Sequence, residues 1–148
     1  MTTGMDGRLT GTLHELVLAM DGYADHVLTS LFGVDRNLLA FLTPLAGSTM
    51  DVTRLAALLN LTKAAVSKRA PALERQGWLT ISADPAHGRR VLLSLTDSGE
   101  RLVGDAGQLL NRRFAGLLDD NSIDAVRLEK ELRTLIGAVR ALAAKEES

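Results

Sequence analysis

The stretch that decides the fold is residues 51–96, DVTRLAALLNLTKAAVSKRAPALERQGWLTISADPAHGRRVLLSLT. Asp51 can cap a short helix, VTRLAALL, because its carboxylate can accept one of the orphan amides of a first helical turn. Asn60 falls where that helix must stop and the chain turn sharply; besides glycine, asparagine best tolerates a left-handed backbone. Thr62 is a second N-cap and opens TKAAVSKRAPALERQG. Ala56, Asn60 and Val66 supply a small residue for a helix crossing, a turn residue and a branched apolar residue, with Leu55, Leu59 and Leu61 as flanking core. That spacing is the pattern of a helix-turn-helix, whose second helix lies in the major groove of DNA. An ordinary helical hairpin with alanine at its crossing would share much of it.

The residues after the second helix favour the helix-turn-helix. Gly77 ends that helix, and WLTIS then alternates Leu79 and Ile81 on one face. VLLSL alternates Val91, Leu93 and Leu95, so the two segments are expected to pair as a hairpin. Residues 83–90 form its tip, with Pro85 and Gly88 as turn residues and Arg89 and Arg90 at the end. A helix-turn-helix with a hairpin directly after it is a winged helix, and its arginines are placed to reach a phosphate or a narrow minor groove.

Charge points the same way. From Asp51 to Arg90 there are seven basic residues and three acidic ones, a net +4 in a chain of net −1, so the remainder carries −5. A basic centre in an acidic frame suggests a local polyanion surface, with chance clustering of solvated charge as the plain alternative.

The flanks are helical. Leu9, Leu13, Leu16, Val17, Met20, Ala24, Val27, Leu28 and Leu31 step by threes and fours along a helix of about 24 residues, which Gly33 ends. A second helix runs through VDRNLLAFLTPLA until GST breaks it. After the hairpin, Thr96 can cap a helix with Leu102, Ala106, Leu109, Leu110, Phe114, Leu117 and Leu118 on one face. Asn121 or Ser122 restarts the chain into a last helix striped by Val126, Leu132, Leu135, Ile136, Val139, Leu142 and Ala143. So much apolar stripe must pack helix on helix, and a homodimer made by the terminal helices is preferred to a monomer that satisfies it internally.

The 148 residues fit one domain, and 46% hydrophobic with 24% charged residues is the composition of a folded chain. The absence of cysteine excludes disulfides and thiolate metal sites. No apolar run approaches the roughly 18 residues of a membrane span, and the N-terminal residues lack a signal pattern, so no membrane association and a cytoplasmic location are expected. No constellation for catalysis is visible. His14 and His26 lie 12 residues apart on the first helix, too far to share a metal from one face, and His87 stands alone in the wing. Neither an enzyme nor a bound cofactor or metal is expected.

On the helix-turn-helix LAALLNLTKAAVSKRAPALERQGWL, the arginine wing and LSLTDSGERL, the chain resembles the MarR family of bacterial transcriptional regulators across nearly its whole length. The resemblance implies a mainly α fold: a winged helix-turn-helix DNA-binding lobe over residues 51–95, and N- and C-terminal helices, residues 8–46 and 96–145, forming a dimerisation and ligand region of a single domain, 1–148. It implies a homodimer that binds a pseudo-palindromic operator in double-stranded DNA, and a repressor released by a small aromatic or anionic effector. Lys63, Ala64, Ser67 and Lys68 would face the major groove, with Thr62 near a phosphate or base edge. Arg54, Arg69 and Arg75 would meet phosphates, and of Arg89 and Arg90 one would insert and one rest on the backbone. For an effector crevice the residues to inspect are His14, Tyr23, His26, Phe41 and Arg113. Aligned on the arginines, His87 stands where wings of the family carry an orienting aspartate, so His87→Asp is expected to preserve or strengthen DNA binding. Asp84 could serve only if the loop folds back. Pro71, inside the second helix, clashes with the carbonyl in Ser67's turn and predicts a kink. The alternative from another class is a winged-helix protein–protein module whose basic face meets an acidic partner.

Overall fold

The structure, a computed structural model, describes residues 8–148. Its elements run α1 (Arg8–Phe32), α2 (Arg36–Leu42), a 3-10 turn (Thr43–Leu45), β1 (Thr49–Asp51), α3 (Val52–Leu59), α4 (Lys63–Arg75), β2 (Leu79–Asp84), β3 (His87–Leu95), α5 (Asp97–Asp120) and α6 (Ala125–Glu146). The fold is mainly helical, with one three-stranded antiparallel sheet in the order β1-β3-β2. The chain forms two compact units, one up to Gly107 and one from Gln108, and α5 crosses the boundary.

Local chemistry sets the element ends of the first unit. Gly33 adopts φ +67 and stops α1, and the Asp35 carboxylate then accepts from Leu38 N at 2.7 Å to open α2. The expected second helix shortens: α-helical bonding ends at Leu42, and Pro44 tightens the next turn to 3-10 geometry. Asp51 and Thr62 cap α3 and α4 through Arg54 N at 2.7 Å and Ala65 N at 3.0 Å. Asn60 sits at φ 53, ψ 44, and Leu61 N donates back to Ala56 O at 2.9 Å, which closes α3 and turns the chain into α4. Gly77, at φ +86, lets Trp78 N reach Leu73 O at 3.0 Å and ends α4.

Ala56 is 3% exposed and Val66 fully buried, so the small residue at the crossing and the branched residue beyond it do pack α3 on α4. Leu28, Phe41, Leu42, Leu45, Leu79 and Leu93 complete the core beneath them. Each such side chain contributes roughly 1.5–3 kcal/mol by leaving water.

Thr96 joins the hairpin to α5. Its hydroxyl donates to Gly77 O at 2.6 Å and accepts from Gly99 N at 3.1 Å, while its own amide donates to Trp78 O at 3.1 Å. Gly99 is obligatory there, since a Cβ would run into the Trp78 carbonyl oxygen. The Gly in LTDSGERL is therefore explained by close backbone approach rather than by a turn.

In the second unit, Asp124 caps α6 through Arg127 N at 3.0 Å, and Ser122, at φ 56, makes the reversal before it. No residue of α6 is buried. Val126, Leu132, Leu135, Ile136, Val139 and Leu142 are all more than a third exposed, an apolar stripe only partly covered in the single chain.

Candidate nucleic-acid interface

The face of α4 turned away from the core follows from helical geometry. Val66, Ala70 and Leu73 are buried. At about 100° per residue, Ala64, Lys68, Pro71 and Arg75 fall on the opposite side and Ser67 at its edge, and all five are exposed. Lys63 and Thr62 stand exposed at the helix start, although the Thr62 hydroxyl is occupied as the cap. α4 is continuous through Pro71. The proline lies on the outer face, where its ring meets solvent rather than packed side chains, and the Ser67 carbonyl loses its partner four residues on.

Arg69, expected to meet a phosphate, has a partner within the chain. It projects to the flank of α4, half-buried, with its guanidinium carbon 5.0 Å from the centroid of the Phe41 ring. Such a cation–π contact ties α4 to α2. Glu74, on the other flank, accepts from Ile81 N at 2.7 Å. That bond satisfies an amide of β2, an edge strand of the sheet. Arg69 and Glu74 thus orient α4 from two sides.

The wing differs from the sequence-based expectation in length and in the roles of its arginines. Pairing along β2 and β3 is regular from Leu79↔Leu95 to Ala83↔Val91 and then jumps to Asp84↔His87. The turn is only Pro85–Ala86, closed by the Asp84 carboxylate accepting from Ala86 N at 2.9 Å, and not the whole of 83–90. Gly88, Arg89 and Arg90 form the irregularity in β3. Bulges re-aim side chains and increase twist, and this one separates two adjacent arginines.

Arg90 turns inward. Its Nε donates to Asp51 Oδ2 at 2.7 Å, and its terminal nitrogens lie against Asp51 and, at 3.9 Å, Asp84 Oδ2. Asp51 caps α3 with one oxygen and holds the wing with the other. The Arg54 amide, and then the Arg90 guanidinium, keep its carboxyl below the ordinary value. Asp84 does therefore reach an arginine, but Arg90 rather than Arg89. Among the described residues Arg54, Lys63, Lys68, Arg75 and Arg89 have no carboxylate within ion-pair distance. They are exposed. β1 went unforeseen: three residues are too short to show periodicity, and its register, Met50 against Leu93, is set by residues far along the chain.

The residues expected near an effector are His14, Tyr23, His26, Phe41 and Arg113. Phe41 is 1% exposed and belongs to the core. His14, Tyr23 and His26 are exposed on α1, and Arg113 lies in the second unit. A cleft of about 570 Å³ in the first unit is lined by Asp35, Leu38, Arg69, Gln76 and Trp78 among others, and by none of those five. No cluster of histidines and carboxylates that could hold a metal occurs among the described residues. No helix among them is long and apolar enough to cross a membrane.

α3 and α4 with the β2–β3 hairpin are a winged helix-turn-helix. The family model of the MarR family matches residues 33–90, from the end of α1 to the bulge of the wing. Over that segment the chain is similar to the MarR family, and the chain as a whole has the fold of the solved structures that follow. A mutant MarR from E. coli, solved complexed with operator DNA, superposes with a TM-score of 0.72 at 20% identity, over 88% of this chain and 92% of that one. FabT from Streptococcus pneumoniae, solved in complex with DNA, gives 0.78 at 13% identity over 93% and 97%. MepR from S. aureus, also solved with DNA, gives 0.71 at 21% identity over 90% and 97%. No curated protein matches the chain.

Proposed function

We propose that this protein is a sequence-specific, double-stranded DNA-binding transcriptional regulator. The observation that carries the reading is the set of exposed cations on α4, at the start of α3 and on the wing. Arg54, Lys63, Lys68, Arg75 and Arg89 stand there without carboxylate partners, while the acidic residues of the same lobe, Asp51, Glu74 and Asp84, are engaged in its own architecture. A helix of this kind fits the major groove, and a wing arginine fits the adjacent minor groove or phosphates. The three similar structures solved with DNA support the same reading.

The protein acts as a homodimer on a pseudo-palindromic operator, in the cytoplasm, as a repressor that a small aromatic or anionic effector releases. The exposed apolar stripe of α6 supports the dimer, because two copies would each cover the other's. The effector rests on the family resemblance. This is a binding protein, with no catalytic step in its action.

An electrophoretic mobility shift with duplex DNA from upstream of the protein's own gene tests the proposal. A complex that survives excess scrambled duplex is expected. Binding to heparin as tight as to any duplex would favour the protein–protein module with an acidic partner.

A further inference from the structure

The outer face of α4 restricts which bases it can read. Ala64, Lys68 and Pro71, with Ser67 at the edge, are exposed on it, spanning eight residues or about 10.5 Å of helix. That is roughly three base-pair steps of about 3.4 Å. The side chains that pair bidentately with adenine are asparagine and glutamine, and those that accept from cytosine are aspartate and glutamate. None stands on this face. Glu74 is turned to Ile81 N, and Gln76 lies beyond the helix end among the cleft residues. Thr62 has committed its hydroxyl oxygen to Ala65 N. Between Ala64 and Pro71 the one long cation on the face is Lys68, flanked four residues before by the Ala64 methyl and three residues after by the Pro71 ring, while Arg75 stands a turn further on. Lysine recognises the O6 and N7 acceptors of guanine, and small apolar groups recognise the C5-methyl of thymine.

We infer that α4 reads each half-site chiefly as a guanine flanked by thymines, with Lys68 on the guanine and Ala64 and Pro71 on thymine methyl groups. Ser67, able to donate or accept, adds little discrimination. Pro71 on this face is then useful as apolar contact, and its cost in backbone bonding falls on the Ser67 carbonyl, which is at the surface.

The inference rests on the DNA-binding reading, and one experiment separates the two. The full chain is used to enrich sites from a randomised duplex library. The enriched half-site is then resynthesised with deoxyuridine for each thymine, which removes only the methyl, and with 7-deazaguanine for each guanine, which removes only N7. Affinity is expected to fall about fourfold at the thymine contacted by Ala64, the effect of one apolar carbon returned to water, and about tenfold at the guanine. Ala64→Gly, at an exposed position, should abolish the difference between thymine and deoxyuridine there, and Lys68→Ala the difference between guanine and its deaza analogue. An enriched site indifferent to both base changes overturns the inference and leaves the DNA-binding reading standing. A library that yields no enriched site overturns both.

Discussion

Arg90 and Asp51, 39 residues apart, are joined by a hydrogen bond of 2.7 Å from the guanidinium Nε to the carboxylate that also caps α3. Through this one side chain the wing is fastened to the first helix of the helix-turn-helix. Two adjacent arginines therefore stand differently: Arg90 is tied to Asp51 and lies near Asp84, and Arg89 has no carboxylate within ion-pair distance.

The two arginines should separate in a salt titration of operator binding. Arg89→Ala is expected to weaken binding and to reduce the slope of log K against log salt by about 0.9, one phosphate's worth. Arg90→Ala should weaken binding with little change of slope, because it loosens the wing without removing a contact. Equal slope losses in the two variants would mean that both arginines reach the backbone.

Gly99 gives a stability prediction with an internal control. Gly99→Ala drives a methyl into the Trp78 carbonyl oxygen and should cost about 1–3 kcal/mol, read as a lowered midpoint in urea. Gly104, on the same helix with nothing within 4 Å of a would-be Cβ, should gain up to about 1 kcal/mol on change to alanine. Equal effects at the two sites would contradict the close approach of α5 to Trp78.

Asp51 predicts a pH dependence. Its carboxyl is held below its ordinary value of 3.8, first by the Arg54 amide and then by Arg90. A depressed carboxylate contributes stability that is fully present above its unfolded value and is lost as pH falls through the folded one. Asp51→Asn keeps a cap acceptor but loses the charge. The stability difference between parent and variant should thus hold steady from neutral pH to about 5 and close below about 4. A difference that grows on acidification would exclude the ion pair as its source.

The wing alters the outcome expected of His87→Asp. His87 pairs directly with Asp84 across the turn, and Asp84 already lies near Arg90. A second carboxylate opposite the first is unfavourable, so the change should weaken operator binding, or at best leave it equal, in a fluorescence anisotropy titration. A clear gain in affinity would show that a carboxylate at position 87 orients Arg89, as the sequence alone suggests.

The parts of the fold legible in sequence are those encoded by a single residue's local chemistry. Asp51, Thr62 and Thr96 cap, Asn60 and Gly77 take left-handed turns, and Ala56 and Val66 pack the crossing. The unforeseen parts depend on partners distant in the chain. β1 needs β3, Arg69 needs Phe41, Arg90 needs Asp51, and Gly47 N needs Glu100, whose carboxylate accepts from it at 2.9 Å. Charge counting could show a basic lobe, but not which of its arginines the protein uses for itself.

The most direct test of α4 as the reading helix compares operator and scrambled duplex for the parent and for a Lys63→Ala, Lys68→Ala variant, titrated across salt concentrations. The parent should bind its operator at least about 10³-fold more tightly than scrambled duplex. The variant should lose much of that ratio and flatten the salt slope by up to about two phosphates' worth. Equal affinity of the parent for both duplexes, or a variant with unchanged ratio and slope, would contradict the assignment of α4 as the reading helix.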